Sequence, residues 1–105
     1  MYLCAMLLFN VTVIVEEASA RDFLSWMKEI HIPKLMGTDC FVSHRLLQIK
    51  DSPNEGISYC VQFIAENEAA HQSFLDLHEQ NFIAEMYNKY PKKLVTFSTL
   101  MEFVG

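Results

Sequence analysis

Between Leu7 and Val15 the chain alternates with period two. Leu7, Phe9, Val11, Val13 and Val15 are all apolar, whereas Leu8, Asn10, Thr12 and Ile14 form a mixed set on the opposite side. One wholly apolar face repeated every second residue is what a strand with one covered side needs, and a helix with its 3.6-residue period would scatter it. A strand marked this strongly belongs near the middle of a sheet, so the other segments have to be arranged around it.

The next segment reads as a helix. Ser19 and Asp22 have the spacing of a capping box, and Ala20, Phe23, Leu24, Met27, Ile30 and His31 recur at helical intervals. Pro33 lacks an amide donor, so the helix is expected to end or kink near His31 and Ile32, with a further turn through Leu35 and Met36 before Gly37. Residues 41–50 form a second strand, less clearly one-faced. The polar run from Asp51 to Gly56 includes Pro53 and reads as a turn. A third strand over 57–65 carries Ile57, Tyr59, Val61 and Phe63 on one face, with Ser58, Cys60, Gln62 and Ile64 on the other. A short polar link between strands implies an antiparallel hairpin. Asn67 can cap a second helix running towards Tyr90, with the stripe His71, Phe74, Leu75, His78, Phe82 and Met86; Pro91 closes it, and 94–103 is the last strand.

The order β-α-β-β-α-β defines an α+β, ferredoxin-like arrangement: a four-stranded antiparallel sheet with two helices on one face. Right-handed crossovers put the first and third strands in the centre and the second and fourth at the edges. The helices should then cover Leu7, Phe9, Val11, Val13, Tyr59, Val61 and Phe63. The opposite face, with Leu8, Asn10, Thr12, Ile14, Ser58, Cys60, Gln62 and Ile64, is too apolar for open water and too polar for a dry core. Two such sheets packed face to face around a part-polar cavity would suit both halves of that mixture, so a homodimer is expected.

Composition narrows the function. A length of 105 residues suits a single domain spanning the whole chain, and 51% hydrophobic residues leave apolar surface available for an interface. The net charge is −5, with 8 basic residues against 13 acidic ones, which argues against nucleic acid as a partner. Lys89, Lys92 and Lys93 cluster at a helix end, and Glu16, Glu17, Glu66 and Glu68 stand at helix starts, where each complements the helix dipole. Cys4, Cys40 and Cys60 are odd in number and widely spaced, the pattern of reduced thiols in a cytoplasm rather than of a disulfide framework or zinc site. The apolar start lacks a basic leader and is interrupted by Asn10, so neither a signal peptide nor a membrane span is expected; Met6 is an equally good start, which would make residues 1–5 a short leader.

The stretch from Trp26 to Met36, with its His31-Ile32-Pro33 element, resembles the first helix of dimeric α/β-barrel proteins. Together with Asn10-Val11-Thr12-Val13, the run from Phe41 to Leu47, Glu55-Gly56-Ile57 and Phe97-Ser98-Thr99-Leu100, it resembles a family of short bacterial proteins of unknown function. The resemblance implies the fold and a dimer. It does not choose an activity, since the wider dimeric-barrel group includes monooxygenases, haem-handling proteins, isomerases and proteins with no known reaction.

No phosphate loop, dinucleotide fingerprint, catalytic triad order or metal motif is present, and no cofactor is expected. His71 and His78, seven residues apart on one helix, are about 10 Å apart and cannot share a metal directly. His31 is the candidate catalytic residue, as an acid/base at a cavity mouth, with a helix-capping role as the alternative. Asn10, Thr12, Arg45 and Gln62 are the candidate ligand-binding residues, with Arg45 placed on the same side of its strand as Phe41, Ser43 and Leu47; its guanidinium would favour a carboxylate. Trp26 is either a packing residue against the last strand or an interface anchor. The leading reading is a homodimeric small-ligand-binding or regulatory module without catalysis of its own. The alternatives are a cofactor-free, monooxygenase- or isomerase-like enzyme acting on a small apolar substrate in the inter-sheet cavity, using His31 with Asn10 or Arg45, and a purely structural interaction domain.

Overall fold

The computed structural model describes residues 5–52 and 55–105. Residues 1–4 and 53–54 lie outside the described part, and with them Cys4, most of the suggested leader and the Pro53 position of the turn. The strands are β1 (Leu7–Val15), β2 (Ser43–Gln48), β3 (Ile57–Ala65) and β4 (Leu94–Glu102), all antiparallel in the order β2-β3-β1-β4. The two strands with the cleanest apolar faces are therefore central, as their patterning requires.

Helices cover one face of this sheet. Val11, Val13 and Val15 are fully buried beneath them, with Leu7, Phe9, Tyr59, Val61 and Phe63 close behind. Phe23, Met27, Phe74, Phe82 and Met86 supply the helical half of the core. Burying each such side chain contributes about 1.5–3 kcal/mol, so this layer is the main source of stability.

Both helical segments are interrupted. The first runs as α1 (Glu17–Trp26), a five-residue π-helical turn over Met27–His31, and α2 (Ile32–Met36). The chain does kink ahead of Pro33, and it does so by widening: the amide of Ile32 donates to the carbonyl of Met27, five residues back. The start differs from the capping-box expectation. Glu16 occupies the cap position, and the Ser19 hydroxyl donates to its carboxylate at 3.1 Å from inside the first turn. The second segment divides at His78 into α3 (Glu68–Leu77) and α4 (Glu79–Lys89), although no Gly or Pro stands there. Asn67 caps α3 as expected, its side-chain oxygen accepting from the Ala70 amide at 2.9 Å.

The second strand is shorter than expected. Phe41 precedes it and turns into the core at 4% exposure against Phe63 and Phe74, so it does not share a side with Arg45. An aromatic ring gains more beneath the helices than on an open edge, and this shifts the strand start to Ser43. Gly56 marks the entry to β3. Its φ is +89°, and a Cβ there would stand 2.6 Å from the carbonyl oxygen of Val15, so the close approach of this turn to β1 needs a glycine.

Candidate functional site

The uncovered face of the sheet is ordered in cross-strand rows. Asn10 lies opposite Gln62 on one side and Thr99 on the other, and Gln62 lies opposite Arg45. This makes a polar row, Thr99–Asn10–Gln62–Arg45, crossing all four strands. On one side of it runs Met101–Leu8–Ile64–Ser43, and on the other Phe97–Thr12–Cys60–Leu47. The centre of the polar row is organised: the Gln62 amide donates to the Asn10 side-chain oxygen at 3.2 Å, and the Asn10 amide donates to the Thr12 hydroxyl at 3.1 Å. The Thr12 hydroxyl in turn meets the Cys60 thiol at 3.5 Å.

Asn10 is already 7% exposed on a single chain because its neighbours stand over it, whereas Leu47, Val95, Phe97 and Met101 are 43–58% exposed. The four residues singled out from the sequence for ligand binding thus fall on one face, three of them linked by hydrogen bonds and Arg45 in register at the exposed edge. Thr99 was missed. Its place follows only from the β1–β4 register, which alternation within single strands does not define.

His31 is elsewhere. It is on the helical side of the sheet, 2% exposed, and cannot reach Asn10 or Arg45 across the sheet. The π-helical turn stacks it on Trp26, five residues earlier, at a ring separation of 4.3 Å and an interplanar angle of 16°. Phe82 of α4 stacks on it from the other side at 4.3 Å and 7°. Its Nε2 lies 2.9 Å from the Phe82 carbonyl oxygen. Burial holds its pKa below the usual histidine range, partly offset by the Phe82 carbonyl and the nearby Glu85 carboxylate. His31 therefore bridges two helical segments rather than capping its own. Trp26 is half-buried against His31, Phe23 and Tyr90, and its packing is with these rings.

Beside His31 the helical layer opens into a recess of about 290 Å³ between α2 and α4, with Lys34, Thr38, Asn81 and Glu85 on its walls. Lys34 Nζ pairs with Glu85 Oε2 at 2.6 Å, and Glu85 Oε1 lies 3.9 Å from His31 Nδ1. Sequence spacing gave no sign of this recess, because its walls come from segments about fifty residues apart. His44 faces Phe63 on the helical side while Arg45 is exposed on the other, the opposed placement expected of adjacent strand residues. His71 is buried against Phe9 and Phe74, with its Nε2 unpaired among the described residues, and burial lowers its pKa. No cluster of three metal-ligating side chains occurs among the described residues, and no helix there is long and apolar enough to cross a membrane.

This topology defines a ferredoxin-like α+β domain. The chain belongs to the family described as domain of unknown function DUF4286, whose model matches residues 6–104. Among solved structures, a dimeric ferredoxin-like protein from an uncultured marine organism superimposes with a TM-score of 0.74 at 8% identity, covering 98% of each chain. An EthD-family protein from Bacillus halodurans gives 0.68 at 11% identity, over 93% of this chain and 99% of its own. SnoaB, a cofactor-independent oxygenase from Streptomyces nogalater, gives 0.66 at 20% identity, over 95% and 92%. At such identities the similarity establishes the fold. No curated protein sequence matches the chain.

Proposed function

We propose that the protein is a homodimer closed by its uncovered sheet face, and that it binds a small, partly apolar ligand between the two sheets without catalysing a reaction on it. The observation that carries this reading is the hydrogen-bonded polar centre of Asn10, Gln62 and Thr12, flanked by Leu8, Ile64, Met101, Phe97 and Leu47, on a face that no helix covers. Strand spacing and rise give this face a flat area of about 500 Å² per copy, hence about 1,000 Å² for two copies before side-chain relief is added. That is the lower end of what a specific interface buries. The dimeric state of the marine ferredoxin-like neighbour supports the same assembly. Arg45 and the amides of Asn10 and Gln62 suit a carboxylate on the ligand, with the apolar side chains around them receiving its carbon frame. Free thiols at Cys40 and Cys60 fit a reducing compartment such as the cytoplasm.

The test is sedimentation equilibrium at micromolar concentration, with wild type at twice the chain mass. Phe97→Lys and Leu47→Lys replace side chains exposed in the protomer, so each should give a folded monomer. A monomeric wild type refutes the assembly. Unchanged binding of every carboxylate hit from a fragment screen in Arg45→Ala and Asn10→Ala refutes the ligand site. The competing reading, an enzyme that works without a cofactor as SnoaB does, rests on the neutral His31 beside the helical recess.

A further inference from the structure

The recess between α2 and α4 contains two hydrogen-bond acceptors that converge without a hydrogen between them. The Phe82 carbonyl can only accept, so its 2.9 Å contact places the proton of the neutral His31 ring on Nε2. Nδ1 is then a lone-pair acceptor. Across from it, at 3.9 Å, stands Glu85 Oε1, an acceptor as well, too distant for a direct hydrogen bond. The other Glu85 oxygen is held by Lys34 at 2.6 Å, which fixes the carboxylate and leaves Oε1 turned towards the imidazole. His31 cannot swing away, because Trp26 and Phe82 clamp both faces of its ring.

A nitrogen about 2.9 Å from each acceptor would see them at an angle of roughly 85°, within the bend that two N–H donors on one atom tolerate. A hydroxyl has one hydrogen and can satisfy only one of the pair, and a carboxylate offers none and meets a like charge. The recess volume of about 290 Å³ is at the small end of ligand pockets.

We propose that this recess is a second binding site, for a small molecule headed by a primary amine or primary carboxamide, with His31 Nδ1 and Glu85 Oε1 as joint acceptors. The two heads share the N–H chemistry and differ in charge. The site lies on the opposite side of the sheet from the polar row and does not depend on that reading. The lowered His31 pKa keeps Nδ1 an acceptor at neutral pH.

Trp26 is the single tryptophan and stacks directly on His31, so its fluorescence reports occupancy. The full-length protein is titrated with benzylamine, benzamide and benzoate. Benzylamine, benzamide or both should give a saturable change in the millimolar range, and which of them does so identifies the head as cationic or neutral. Benzoate should give none. Glu85→Ala, at a half-exposed helix position, should keep the fold by circular dichroism and weaken the bound probe by about tenfold or more. No saturable response to either nitrogen probe, equal binding of benzoate, or unaltered binding in folded Glu85→Ala would each overturn the proposal.

Discussion

The sandwiched His31 supplies a test of where the helical layer gets its cohesion. In His31→Ala three contributions disappear. Two ring stacks, each at 4.3 Å, contribute about 0.5–1.5 kcal/mol apiece beyond their burial. The hydrogen bond to the Phe82 carbonyl contributes about 1 kcal/mol. The ring's removal also leaves a void between Trp26 and the buried Phe82. Truncation of a large buried side chain to Ala usually costs about 3–5 kcal/mol in all, and the itemised losses reach that range. His31→Gln keeps a donor for Phe82 but loses both stacks, so it should cost about 1–3 kcal/mol. His31→Phe keeps the stacks and loses the bond, and should cost least.

The assay is urea unfolding followed by far-ultraviolet circular dichroism, at one fixed protein concentration because a dimer's stability depends on it. The order Ala, then Gln, then Phe, from most to least destabilised, is the expected result. A loss below about 1 kcal/mol in His31→Ala would show that the stack contributes nothing net, leaving the residue free for a purely functional explanation.

Three further outcomes follow from local geometry. Gly56→Ala should lose at least about 1–3 kcal/mol, since it combines a strained positive φ with a Cβ placed 2.6 Å from the Val15 carbonyl, and a neutral substitution in urea unfolding would refute the turn geometry. Stability should fall as pH drops below about 6.5: with both His31 and His71 depressed by burial, the unfolded chain takes up protons that the folded chain refuses, at up to about 1.4 kcal/mol per pH unit for each histidine. Above that pH both states are neutral at these sites and the contribution vanishes, so pH titration of His31→Phe should show a shallower fall between pH 6.5 and 5 than wild type. Thiol titration of the denatured, unreduced protein should find all three cysteines free, and a count of one would reveal an intramolecular bridge.

What the sequence reveals and what it hides divides along a physical line. Alternation is a local property, and it located β1 and β3 because their odd residues contact a continuous helical layer, so nearly every position on that side is apolar. It also brought Asn10, Thr12 and Gln62 onto one face, since strand parity alone assigns faces once the element order is known. Edge strands are weaker signals. β2 is mostly exposed on both sides, and the segment around Phe41 has no period to show that the chain leaves the core just before Ser43.

The helical interruptions lie beyond local reading for a different reason. Pro33 announces a disturbance, but a kink, a stop and a widened turn all spare the missing amide, and only tertiary packing chooses among them. Here the π-helical register brings His31 under Trp26 and against Phe82 of α4, whereas an unbroken 3.6-residue period would leave residues 26 and 31 about 140° apart around the helix axis. The choice is thus made by a residue about fifty positions downstream. The same contact fixes the imidazole tautomer through the Phe82 carbonyl and sets Nδ1 towards Glu85. The feature of the helical layer with the most chemical content is therefore generated by the one distortion whose form the local sequence does not encode.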